Sequence, residues 1–399
     1  MNYLLQIVLI LLVGKVCSEL SSRIGLPPVM GELIAGILIG PAVFHLLTPT
    51  TFIHYFSNIG VIMLMFIAGL EGDLRQLLHY WAPSLTVATL GVIFPTGTAY
   101  LLCHDVFNFD VQTAAFMGLV LSATSVSITV QVLREMGYSN TRESQIILGA
   151  AVADDIICII LLGISVQLVG QHSASSLSGK VLSMVVPQIL FFIIVLLIGR
   201  YIVPRFLQIF DKMGISESLP TAALIICFGF AWIAVKCGMS DVLGAYCAGL
   251  AISQTKYEEA LAPKIEPIGY AIFTPVFFIS IGLEVTFHGI GNDVLFIISL
   301  IIIAVLGKQL GCGIGAKLFH LNWKAANIVG AGMVSRGEMA LVVIKVALSA
   351  VALSAGLIDQ SYFTALIMVT VITTLLAPLL LKIFIQRNVN SQNNERRLD

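Results

Sequence analysis

Apolar residues run along almost the whole chain in blocks long enough to span a bilayer, and polar positions are confined to short breaks between them. Thirteen blocks can be counted, at about 3–21, 28–46, 58–78, 83–104, 110–136, 144–170, 182–208, 218–237, 240–254, 267–286, 292–317, 324–348 and 360–387. A helix of about 20 apolar residues matches the hydrocarbon thickness of a membrane. The pattern therefore predicts an all-α polytopic membrane protein with about 13 transmembrane helices in a single domain, 1–387. The remaining residues, 388–399, are polar and are expected to form a disordered cytoplasmic tail.

Composition agrees. The chain is 58% hydrophobic and 11% charged, with a net charge of −1, where soluble domains carry about 25% charged residues. No basic arm or acidic tail stands out, so nucleic acid is not an expected partner. The seven cysteines show no C-x-x-C spacing and read as small apolar filler. Met1-Asn2-Tyr3 lacks the positive region of a signal peptide, so the first block is kept as a span. Lysine and arginine are one-sided: fifteen fall in the connections after odd-numbered spans or at the C-terminal end, against only Lys180 and Lys236 on the other side. That bias places the N-terminus outside and the C-terminus in the cytoplasm of a cell (inner or plasma) membrane.

An internal repeat is visible. Val29-Met30-Gly31-Glu32-Leu33-Ile34-Ala35-Gly36 matches Val242-Leu243-Gly244-Ala245-Tyr246-Cys247-Ala248-Gly249 at an offset of 213, and Gly69-Leu70-Glu71 matches Gly282-Leu283-Glu284 at the same offset. Seven spans separate the copies, an odd number, so the halves must cross the membrane in opposite directions. The reading is repeat 1 at about 3–170, a linker helix at about 182–208 and repeat 2 at about 218–387. Such inverted repeats characterise transporters that bind substrate near the midplane at broken helices.

Two adjacent aspartates, Asp154 and Asp155, lie in the middle of the sixth span. A carboxylate at that depth costs roughly 2.5–3.5 kcal/mol on insertion scales, so it marks a functional site. Successive helical residues point about 100° apart, so one aspartate can meet an ion path while the other pairs elsewhere. Lys308, alone in Ile301–Gly307 and its flanks, is the candidate partner, because pairing relieves both charges. Span 5 carries Ser122-Ala123-Thr124-Ser125-Val126-Ser127-Ile128-Thr129. Hydroxyls this dense can bend or break a helix, and the freed oxygens of Thr124 and Ser125 suit a hard monovalent cation. Ser335-Arg336-Gly337-Glu338 occupies the corresponding place in span 12. Arg336 and Glu338 read as an internal charge network, with Glu71 a possible member. Glu71, Asp73 and Glu284 sit near span ends and are expected at the interface.

No G-x-x-x-x-G-K-[ST] loop or H-E-x-x-H motif is present, so an ion gradient rather than ATP or a cofactor is the expected energy source. An intramembrane aspartyl protease needs two aspartates on different helices, whereas these are neighbours on one. The protein is therefore not expected to be an enzyme.

Leu26-Pro27-Pro28-Val29-Met30-Gly31-Glu32 with Gly40-Pro41, Gly69-Leu70-Glu71, Ala123-Thr124-Ser125, Ala153-Asp154-Asp155, Pro275-Val276-Phe277-Phe278, Gly307-Lys308 and Ser335-Arg336-Gly337-Glu338 occur in this order. In this the chain resembles the monovalent cation:proton antiporter-2 family of bacterial sodium/proton and potassium/proton exchangers. The resemblance implies a homodimer, each chain having a dimer domain and a core domain in which spans 5 and 12 are unwound and cross. It also implies Asp155 as the cation and proton carrier, helped by Asp154, Thr124 and Ser125, and Asp154 paired with Lys308. Paired aspartates resemble the electrogenic sodium type. No nucleotide-sensing domain follows the last span, which tilts the expectation further toward sodium. Potassium/proton exchange, or a sodium-coupled symporter on the same architecture, remains the alternative.

Overall fold

The computed structural model describes residues 3–169, 177–285, 294–337, 340 and 360–395. Every regular element among the described residues is helical. The first half holds α1 (Tyr3–Arg23), α2 (Pro28–Ile39), α3 (Thr51–Leu70), α4 (Leu74–His79), α5 (Trp81–Leu101), α6 (Val111–Ser122), α7 (Val126–Glu135) and α8 (Arg142–Val169). After α9 (Leu177–Leu197) and α10 (Val203–Asp211), which form a connecting segment, come α11 (Ser218–Lys236), α12 (Asp241–Ser253) and α13 (Glu258–Ile268). They are followed by α14 (Thr274–Leu283), α15 (Val294–Leu318), α16 (Trp323–Gly332) and α17 (Gln360–Glu395). Ten described segments are long and apolar enough to cross a bilayer, and α2 and α12 are shorter apolar helices. They occupy the places of the expected spans except the twelfth, which begins as α16 and continues into residues outside the described ones.

Several boundaries differ from the expectation. α2 stops at Ile39 rather than near 46, because Pro41 disfavours helical backbone at Gly40, which is extended. α3 begins at Thr51 rather than near 58: Thr50 Oγ1 accepts from the Ile53 N–H at 3.3 Å, and Ser57 Oγ finds Ser280 Oγ at 2.6 Å, so this polar stretch is helical and partly buried. The helix ends at Leu70, and Asp73 restarts the chain by accepting from the Arg75 N–H at 2.8 Å. At the C-terminal end, α17 continues through the expected unstructured tail to Glu395. Extending a formed helix is far easier than nucleating one, and Asn388 Nδ2 is held by donating to the Tyr138 hydroxyl at 3.1 Å.

Apolar side chains coat the outside. Tyr3, Val8, Leu12, Val16 and Leu20 are exposed along one face of α1, and Ile189, Ile193 and Leu196 along α9. Continuous apolar faces of this kind are out of place in water and suited to lipid. Inside, α3 and α9–α13 share one apolar core; α5, α6, α15 and α17 share another, which Cys158 of α8 joins.

The repeat is expressed as two helix pairs, α2 with α14 and α3 with α12. A Cβ on Gly36 would lie 2.9 Å from the Gly282 Cα, and one on Gly69 3.0 Å from the Gly249 Cα. Gly36 and Gly249 are separated by the repeat offset, as are Gly69 and Gly282, so the two contacts are the same contact made twice. Only glycine permits backbones this close, and small residues are the usual means of packing helices in lipid.

Candidate ion site at the crossing of two broken helices

The hydroxyl-rich stretch of span 5 breaks as its composition suggested. α6 ends at Ser122, Ala123 and Ser125 are extended, and α7 begins at Val126. Opposite, α16 ends at Gly332 and Val334–Gly337 are not helical. Each break satisfies the backbone of the other. The Ser125 N–H donates to the Ser335 carbonyl at 2.9 Å, and Ser335 Oγ donates back to the Ser125 carbonyl. Thr129 Oγ1 donates to the Gly332 carbonyl at 2.6 Å and lies 3.0 Å from Ser335 Oγ. Thr124 Oγ1 reaches the Met333 carbonyl at 3.4 Å. In lipid, irregular backbone survives only with such internal partners.

The C-terminal end of α6 carries the negative end of the helix dipole and carbonyls without intrahelical partners. Two cations meet it. Lys308 Nζ, on α15, donates to the Ser122 carbonyl at 2.6 Å and to Asp154 Oδ1 at 2.9 Å. Arg336 Nε donates to the Leu121 carbonyl at 3.0 Å, Nη2 to the same carbonyl and to Ala304 at 2.8 Å, and Nη1 to Val334 at 3.0 Å. Lys308, Asp154 and Arg336 are all fully buried. Asp154 Oδ2 has no hydrogen-bond partner among the described residues.

Asp155 points elsewhere, as the 100° step requires. It is partly exposed and lines a cavity of about 20 Å³ with Met65, Val126, Leu148, Val152, Val242 and Tyr246. That volume suits about one water. The cavity lies between α7 and α8 on one side and α3 and α12 on the other. Val126 brings the break of span 5 to the same cavity. The aspartates thus divide between a buried charge pair and a cavity wall.

Of the expected charge network, Glu338 lies outside the described residues; Arg336 meets main-chain carbonyls, and Glu71 is found elsewhere. Glu71 Oε1 is 3.1 Å from Arg134 Nη1, and Arg134 Nη2 donates to Glu266 at 2.6 Å while its guanidinium stacks on Tyr270 at 3.9 Å. Burial pushes the Glu71 carboxyl above its ordinary value, with Arg134 opposing the shift. Asp73 and Glu284 do sit at helix ends, Glu284 being 3.5 Å from His54. Tyr246 was missed: its side chain lines the Asp155 cavity, and its buried hydroxyl has no hydrogen-bond partner among the described residues. The available signal was a tyrosine standing where the repeat has Leu33.

Opposed halves, helices broken where they cross, and buried charges at the break define the inverted-repeat class of polytopic membrane transporters. A family model described as sodium/hydrogen exchanger, transmembrane, matches residues 8–387, and the chain belongs to that family. The chain is 45% identical over 382 residues to the Na(+)/H(+)-K(+) antiporter GerN of Bacillus cereus, with 96% of each sequence covered. It is 39% identical over 387 residues to a Na(+)/H(+) antiporter of Enterococcus hirae, covering 97% of this chain and 99% of that one. Its fold is similar to that of the sodium proton antiporter MjNhaP1 from Methanocaldococcus jannaschii, with a TM-score of 0.64, 16% identity and 94% of each chain covered.

Proposed function

We propose that this protein exchanges sodium for protons across the cell membrane by alternating access, the two ions competing for Asp155. The observation that carries the reading is the division of labour between the aspartates: Asp154 is committed to Lys308, while Asp155 lines the cavity between α7 and α8 on one side and α3 and α12 on the other. Ionised Asp155 binds the cation, recruiting Asp154 Oδ2 and oxygens of the Thr124-Ser125 break; protons arriving from the other side displace it. The gradient is the energy source, and no cofactor takes part. The chain works as a homodimer, with its N-terminus outside and C-terminus in the cytoplasm, in line with the lysine and arginine bias.

Potassium is the second cargo to consider, because the Bacillus cereus relative's name includes it. Proteoliposomes loaded with a pH-sensitive dye test both: sodium or lithium should dissipate an imposed proton gradient, and Asp155→Asn should abolish this. Failure of sodium, lithium and potassium alike refutes antiport, and exchange retained in Asp155→Asn refutes the site.

A further inference from the structure

A second polar chamber, larger than the one at Asp155, opens at the far end of α7. Its volume is about 280 Å³, and α1, α2, α7 and the turn into α14 enclose it through Lys15, Glu32, Gln131, Glu135, Tyr270 and Thr274, among others. Glu135 lies ten residues beyond Ser125, about 15 Å along the helix, so the chamber is separate from the ion site. The space far exceeds the roughly 10–15 Å³ that a single water needs.

Its walls carry polar atoms without partners. Gln131 Nε2 donates to Glu135 Oε1 at 2.9 Å, but among the described residues Gln131 Oε1, Glu135 Oε2 and Thr274 Oγ1 have no hydrogen-bond partner, nor do Ser18 Oγ and Arg134 Nη1 on the same wall. Gln131 and Thr274 are 9% and 2% exposed, so bulk water does not readily solvate them. Buried polar atoms are nearly always satisfied, and an unpaired carboxylate is the costliest exception. Lys15, 3.9 Å from Glu32, also attracts Glu135 without closing to ion-pair distance, and the Val29 N–H faces the same carboxylate. Arg134, which also borders the chamber, is engaged by Glu71 and Glu266.

We infer that this chamber is a second cation site, distinct from Asp155, which takes a monovalent alkali cation on Glu135 Oε2, Gln131 Oε1 and Thr274 Oγ1, with Glu32 behind them. Carboxylate, amide and hydroxyl oxygens are hard ligands of the kind such ions prefer. The charges suit a monovalent ion: Lys15 offsets one of the two carboxylates, Glu32 and Glu135, and Arg134 is held by Glu71 and Glu266, leaving about one negative charge. No cluster of three His, Cys, Asp or Glu groups suited to a divalent metal occurs among the described residues.

Equilibrium binding of sodium-22 to the purified full-length protein, at a pH where the carboxylates are ionised, tests this. Asp155→Asn should retain a sodium equivalent that Asp155→Asn/Glu135→Gln loses, and Asp155→Asn/Thr274→Val should bind it roughly tenfold more weakly. A size-exclusion profile matching the wild type establishes that each variant is folded. Sodium binding unchanged by Glu135→Gln, in either background, overturns the proposal, as does an Asp155→Asn protein that binds no sodium. If Asp155→Asn binds as much as the wild type, the Asp155 assignment fails instead, and Glu135→Gln alone still decides the second site.

Discussion

Replacing Lys308 with Met separates two roles that the geometry gives this side chain. Lys308 is fully buried, pairs with Asp154 at 2.9 Å and caps the Ser122 carbonyl at 2.6 Å. At 2.9 Å and an effective dielectric near 20, the Coulomb attraction is about 6 kcal/mol, but desolvation of each ion costs several kcal/mol, so the intact pair is close to neutral in net effect. Removing one member strands the other, at about 3–5 kcal/mol. Lys308→Met should therefore destabilise the detergent-solubilised protein strongly, and Asp154→Leu should do the same. The double variant Asp154→Leu/Lys308→Met should recover much of the loss, because no charge is left stranded; its remaining deficit reports the uncapped Ser122 carbonyl, about 1–3 kcal/mol. Thermal unfolding followed by size-exclusion chromatography measures all three. Additive losses, with the double variant as poor as the sum of the singles, would refute the buried-pair reasoning.

Four further outcomes follow from the same contacts. Arg336→Met should prevent accumulation of folded protein in a membrane expression assay, since Leu121, Ala304 and Val334 carbonyls each lose a donor worth about 1–3 kcal/mol when left buried; Arg336→Lys should rescue only partly, lacking the planar fork. Gly282→Ala should be severely destabilising, because its Cβ would meet the Gly36 Cα at 2.8 Å, whereas Gly97→Ala, with no heavy atom within 4 Å, should be neutral or stabilising by up to about 1 kcal/mol; equal melting temperatures would contradict this. Tyr246→Phe should raise the KM for sodium in dye-loaded liposomes while leaving stability equal or better, since the lost hydroxyl has no partner among the described residues; an unchanged KM removes it from the site. Glu71 has a raised carboxyl pKa from burial, so its contribution to stability is present below the ordinary carboxylate value and is lost as pH rises through its own higher value. Glu71→Gln should flatten that decline in melting temperature, and an unaltered pH profile would contradict the assignment.

Much of this was legible because membranes impose simple rules. Apolar length located the helices, and the repeated Gly36 and Gly249 marked the backbone contacts. Lys308, the lone charge deep in its apolar block, pointed to one of the aspartates. The remainder was hidden for definite reasons. Arg336 is held by carbonyls, which every residue has, so no side-chain pattern announces them. The start of α3 contains His54 and Ser57 and reads as a loop until Thr50 and Ser280 are seen to satisfy it. The chamber at Glu135 draws on four segments distant in sequence, and no single motif records it.

The doubled glycine contact also decides where the molecule can yield. Backbones touching at Gly36–Gly282 and Gly69–Gly249 have no side-chain layer between them to deform, so α2, α3, α12 and α14 are expected to hold together as a stator. Across the Asp155 cavity, α3 and α12 instead meet α7 and α8 through Met65, Leu148, Val152 and Val242, whose side chains can change rotamer and slide. Mechanical compliance is thereby concentrated on the surface that holds Asp155, and a stroke along that bearing would move the charge without loosening the frame.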